Sequence, residues 1–138
     1  MKKFATAALA ASAMLLAGQA SATNWVIFDT GSSGTVWYDS DNVSYGTVTI
    51  AGKKHRYVET YIFVRNSSPK YHQALKKNYD EAMDKLAVTC GSPTYLQGIT
   101  TEQSLKGKLV AKINQGNNSP FREIDSNTIA ATLAKTLC

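Results

Sequence analysis

His55-Arg56-Tyr57-Val58-Glu59-Thr60-Tyr61-Ile62-Phe63-Val64-Arg65 alternates along its whole length. Val58, Ile62 and Val64 fall on one side; Tyr57, Tyr61 and Phe63 fall on the other. Successive side chains of a β-strand point to opposite faces, so this run reads as a strand with two apolar faces. β-branched and aromatic residues suit such a pleated surface. It is the longest strand candidate in the chain, and the fold follows from what can pair with it.

Upstream, residues 47–51 alternate Val48 and Ile50 against Thr47 and Thr49, and Gly52-Lys53-Lys54 reads as a hairpin turn into the long strand. Two shorter strands, 24–29 and 35–39, flank the turn cluster Thr30-Gly31-Ser32-Ser33-Gly34. Downstream, Asn66-Ser67-Ser68-Pro69 is expected to break the long strand. Residues 70–82 are polar and read as loop or one helical turn. Residues 85–90 alternate again, with Leu86, Val88 and Cys90 on one side. Gly91-Ser92-Pro93 turns the chain into a further strand over 94–101. Residues 108–113 place Leu109, Ala111 and Ile113 inward, and 114–120 read as a loop.

The period changes at the C-terminus. Ile129, Leu133 and Leu137 recur at i, i+4 and i+8, widened by Ala130 and Ala134, and predict an amphipathic helix over 126–138. Asp125 or Ser126 is placed to cap it. Together these elements predict an α+β fold, an antiparallel sheet of about six strands with a C-terminal helix packed on one face. Cys90 lies on the inward side of its strand and Cys138 at the end of the helix, so a Cys90–Cys138 disulfide would tie helix to sheet.

The chain has 138 residues, one domain's worth. Lys2 and Lys3, the apolar run 4–17 and Ala20-Ser21-Ala22 read as a secretory signal peptide over 1–22, leaving a single domain over 23–138. The apolar run is shorter than a membrane span requires. Gln19 stands where a lipoprotein would carry its cysteine, so the exported chain is expected to be periplasmic, or at the cell surface or secreted, without a lipid. Two of the formal +5 charges belong to the leader, and the mild remainder does not argue for nucleic acid.

Most chemistry-bearing patterns are missing. The two histidines, His55 and His72, have no ligand-like spacing, the two cysteines have no redox spacing, and no serine-hydrolase elbow occurs. No cofactor or metal is expected. Val26-Ile27-Phe28-Asp29-Thr30-Gly31 resembles the active-site turn of aspartic proteases, which need two such aspartates sharing a proton. The sequence has one, so a dimer would be required, and a flexible hairpin loop accounts for the motif more simply. Lys53, Lys54, His55 and Arg56 form the densest basic cluster and are the candidate binding residues. Such runs are also common as solvated hairpin tips. Seven tyrosines and two tryptophans could furnish a binding face.

Asn24-Trp25-Val26, then Val36-Trp37-Tyr38-Asp39, Asp41-Asn42-Val43 and Gly46, a strand ending in Cys90, and finally Phe121-Arg122-Glu123-Ile124-Asp125-Ser126 before a helix ending in Cys138 follow one order. In this the chain resembles the surface-adhesin protein E family of Gram-negative bacteria. The resemblance implies an antiparallel sheet of about six strands, a C-terminal helix and a disulfide placed like Cys90–Cys138. It also implies a virulence-related role, binding host matrix or serum proteins such as vitronectin and laminin. It assigns no binding residue. The expected function is therefore an exported, non-enzymatic, adhesin-like binding protein. The alternatives are a periplasmic inhibitor or accessory protein of the cell envelope and a dimeric aspartic protease using Asp29.

Overall fold

The computed structural model describes residues 24–116 and 119–138. The signal peptide expected over 1–22 lies outside the described residues. Eight strands follow in order: β1 Trp25–Gly31, β2 Gly34–Asp39, β3 Ser44–Ile50, β4 Lys53–His72, β5 Lys77–Thr89, β6 Thr94–Leu105, β7 Lys108–Asn114 and β8 Arg122–Ile124. A helix, α1 Ile129–Leu137, follows them and is the one helix among the described residues. The strands form one antiparallel sheet in the order β1-β2-β4-β5-β6-β7, with β3 added beside β4 and β8 beside β6. The expected antiparallel sheet, single C-terminal helix and disulfide are all present. The sheet has eight strands rather than about six, and where α+β was expected the described residues are mostly β, with one short helix.

The length of β4 explains the two additional strands. One edge of β4 pairs with β2 at Ile62–Asn66 and with β3 at Lys53–Glu59. Thus β2 and β3 form one ribbon along β4, kinked at 40–43. In the same way β7 and β8 share one edge of β6, which pairs with β7 from Thr100 onward and with β8 at Thr94–Leu96.

The alternation of β4 separates two cores. Val58 and Ile62 join Val36, Leu86 and Val88 on one face, where Ala130, Leu133 and Ala134 of α1 cover them. Trp37, Phe63 and Met83 form a second cluster on the other face, with Trp25 and Tyr61 packed against it. Cys90 and Cys138 are bonded, with Cα atoms 5.8 Å apart.

Several boundaries differ from the sequence reading. Residues 66–69 shift the β4–β5 register but do not end β4. Residues 70–82 are mostly strand: the pairs Lys70↔Tyr79, Tyr71↔Asn78 and His72↔Lys77 make a β-ribbon around a turn at 73–76. The β3–β4 turn is Ala51–Gly52, both with positive φ, and Lys53 and Lys54 already belong to β4. The cap of α1 is Thr128, whose hydroxyl accepts from Ala131 N at 3.2 Å, rather than Asp125 or Ser126. The buried side of α1 is Ala130, Ala131, Leu133 and Ala134, while Ile129 is 39% exposed. Small alanines let the helix backbone approach the sheet, and this turns the larger Ile129 outward. Leu109 is also exposed, being next to the β6–β7 turn, whereas Ala111 on the same strand is buried.

Candidate binding face

The face opposite α1 is organised by register. Trp37 of β2, Phe63 of β4 and Met83 of β5 are direct cross-strand partners. The Trp37 and Phe63 ring centroids lie 5.4 Å apart, and Trp25 extends the layer 6.0 Å from Phe63. Such spacings suit offset or tilted aromatic pairs. Arg65 and Glu81, two pairs on, are the next pair on this face, and Arg65 Nε donates to Glu81 Oε2 at 2.6 Å. That bond holds the guanidinium 5.7 Å from the Trp37 ring centre and 5.5 Å from that of Phe63. Lys85 repeats the arrangement on its partner Tyr61, with Nζ 5.6 Å from the ring centre and 3.4 Å from Glu59 Oε2. Cations over ring faces are attracted by the ring quadrupole. Both remain in part solvent-exposed, at 26% for the Arg65 side chain and 32% for Lys85. The indole Nε1 atoms of Trp25 and Trp37 are buried without a protein partner.

The kink between β2 and β3 adds a polar notch. Asp39 is buried, and its carboxylate accepts from Asp41 N at 3.1 Å and from Asn42 Nδ2 at 2.7 Å. Asn24 Nδ2 donates to Asp41 Oδ1, and Thr60 Oγ1 donates to the Asp39 carbonyl. A short carboxylate that bonds the next backbone N–H groups favours a turn over a continuing strand. The resulting cleft of about 390 Å³ is lined by Asp41, Asn42, Ser44, Glu59, Tyr61 and Lys85 among others. It therefore opens beside the aromatic layer, and Tyr61 and Lys85 belong to both.

The basic run is divided by the strand it sits on. Lys53 and His55 point to one face, Lys54 and Arg56 to the other. The His55 ring meets Tyr95 edge-on at 5.3 Å, whereas Arg56 lies 4.5 Å over the Tyr45 ring. Lys53 and Lys54 are exposed. The structure thus does not bring the four together as one patch. Asp29 is an exposed residue of β1, paired in register with Val36, in the hairpin that turns at Ser32 and Ser33. Among the described residues, no group of three or more His, Cys, Asp and Glu could hold a metal ion.

On the face covered by α1, Asp84 shares its row with Leu86 and Val88 and pairs with Thr101. Burial pushes the Asp84 carboxyl above the usual carboxylate range, and a hydrogen bond with Thr101 partly opposes this. The buried Gln103 side chain lies two pairs further along, on the same face, its Oε1 without a protein partner. These groups belong to the interior, whereas Arg65 and Lys85 stand at the surface. Sequence reading missed both cations over their rings. The usable signal was cross-strand pairing, once β4 and β5 are set antiparallel. Compared with known proteins, the chain matches no family model, no curated protein and no solved structure.

Proposed function

We propose that this chain is an exported, non-enzymatic binding module that meets a partner protein with the aromatic–cationic face of its sheet. One observation carries the reading: among the described residues, Trp25 and Tyr61 pack on the buried Trp37 and Phe63, and the partly exposed cations of Arg65 and Lys85 lie over these rings, on the sheet face that α1 does not cover. Aromatic residues and arginine are the side chains most enriched where protein interfaces concentrate their binding energy. The notch at 40–43 adds polar groups held by a hydrogen-bonded turn, which lowers the ordering cost on association. Export is supported by the leader-like residues 1–22 and by the Cys90–Cys138 bond, which suits an oxidising compartment.

The partner we propose is a host matrix or serum protein, bound in an adhesin-like way. Immobilised vitronectin and laminin test this with the chain from Thr23 onward. Saturable binding is expected, weakened about tenfold or more by Tyr61→Ala, the range of a residue central to an interface. Absence of binding to either protein removes the adhesin reading. Binding that survives both Tyr61→Ala and Lys85→Glu removes the face.

A further inference from the structure

The β4–β5 hairpin runs past both of its neighbours. The β1–β2 hairpin last touches β4 at Ser67, which bonds Ser32 and Ser33. On the other side, β6 leaves β5 at Glu81, after which Lys106 N reaches back to Asp80 Oδ2. Beyond these points, the ladder pairs Lys70↔Tyr79, Tyr71↔Asn78 and His72↔Lys77 join the arm's two strands to each other. The turn is defined: Lys76 N donates to His72 O at 2.8 Å, Leu75 N donates to His72 Nδ1, and Lys76 takes φ +53°. With the Asp80 carboxylate at its base turned to Lys106 N, the outer part of the arm, residues 66–79, is one-sided in charge. Between Arg65 and Asp80 the sequence carries Lys70, Lys76 and Lys77 and no carboxylate. Tyr71 and Leu75 are 52% and 44% exposed on this same arm.

We infer that this arm docks the protein peripherally on an anionic lipid surface. Three lysines without an opposing acid are complementary to a layer of negative headgroups, which attracts each basic side chain held close to it. Tyrosine belongs at the headgroup level, and a leucine at the tip gains from entering the acyl boundary. The cations are lysines, compact point charges that suit a diffuse anionic surface, and none is an arginine with the planar fork that recognises carboxylates in pairs. A stable protein interface takes about 800 Å² from each partner. A narrow ribbon offers no flat patch of that kind, but it offers a tip for shallow insertion. The docking is interfacial: no described helix is long and apolar enough to cross a membrane.

Co-sedimentation with vesicles tests the inference, using the chain from Thr23 onward, which contains every described residue. Binding is expected to vesicles of phosphatidylcholine mixed with phosphatidylglycerol, but not to phosphatidylcholine alone, and it should fall with added salt. Lys70→Gln, Lys76→Gln and Lys77→Gln combined should weaken it about a hundredfold, at roughly fivefold per lysine. Leu75→Asp alone should weaken it too, and provides an independent variant if the triple one fails to fold. Equal binding to both vesicle types, no binding, or unchanged binding by the variants overturns the inference. Binding to soluble poly-glutamate without binding to vesicles assigns the arm to an acidic protein and equally overturns it. Vitronectin or laminin binding that depends on Tyr61 would stand whatever the vesicles show, because the arm lies apart from the aromatic layer.

Discussion

The Tyr45 hydroxyl donates to the Leu137 carbonyl oxygen at 2.7 Å, one residue before the cysteine that bonds Cys90. Strand β3 and the last turn of α1 are therefore joined beside the point where α1 is joined to the end of β5. The two links act on one short helix. A helix of this length is marginal alone in water, so its docking depends on packing and on these ties.

Cys90→Ser should lower the melting temperature sharply. The bridge spans a sequence separation of 48, for which loop-closure entropy gives about 4 kcal/mol in the chain-entropy model. Hydrogen exchange should rise first in α1. Tyr45→Phe alone should cost about 0.5–1.5 kcal/mol, the net worth of one hydrogen bond. In the double variant the two losses should be less than additive, because a released helix end no longer presents the Leu137 carbonyl. Strict additivity in denaturant titrations would show that the links are independent.

Leu133 is fully buried at the centre of the helix-covered core, and Ile129 is exposed. Leu133→Ala should cost about 2–5 kcal/mol, the range for a buried leucine. Ile129→Ala should stay within about 0.5 kcal/mol, as surface changes do. Urea midpoints separate the two, and comparable losses would mean that the helix is rotated from its described position.

Asp84 titrates upward because burial disfavours its charged form. The folded chain thus holds this proton to a higher pH than the unfolded chain does. The sign follows: the stability that Asp84 allows is complete below the ordinary carboxylate range and is lost as pH rises through its raised folded value. Asp84→Asn should therefore stabilise the protein at neutral pH and change little in strong acid. Melting curves across pH check this, and a stabilisation independent of pH would contradict it.

Gly34 sits at φ +149° opposite Asn66, and a Cβ there would collide with the Arg65 carbonyl oxygen. Gly34→Ala should cost more than about 1–3 kcal/mol, the usual strain at such a conformation, because strands β2 and β4 must also separate. Arg65 would move with its backbone, so near-ultraviolet dichroism from Trp37 should change as well. An alanine variant with wild-type stability and spectrum would refute the close approach.

The central sheet was legible because β4 and the second half of β5 bury side chains on both faces. Val58, Ile62, Phe63, Leu86 and Val88 could not sit otherwise. The first half of β5 was not legible: Lys77, Asn78 and Tyr79 belong to the projecting ribbon, where no core imposes alternation. The helix was found, and Ala130, Leu133, Ala134 and Leu137 pack as expected, but its buried side is rotated toward Ala131 and leaves Ile129 exposed. Periodicity marks an apolar stripe, while the side that packs is chosen by how closely Ala130, Ala131 and Ala134 let the backbone approach. The notch at 40–43 was hidden for another reason. It depends on which backbone groups the Asp39 carboxylate captures, and residue type alone does not specify them. Of the candidate face, the shared side of Tyr61 and Phe63 was visible in sequence. Arg65 above Trp37 emerged only with the strand register.

The projecting ribbon carries its turn, residues 73–76, away from both hydrophobic clusters. Exposed tips of this kind are where chains are most readily nicked and where inserted sequences are best tolerated. Both cysteines lie on the C-terminal side of that turn, so a cut there leaves two pieces with no covalent link. They would be held by the pairing of β4 with β5, which is unbroken from Tyr57↔Thr89 to Arg65↔Glu81. The molecule is thus laid out as a natural split protein. Two fragments divided at 73–76 should reassemble when mixed, and a reporter domain placed between them should leave both cores folded.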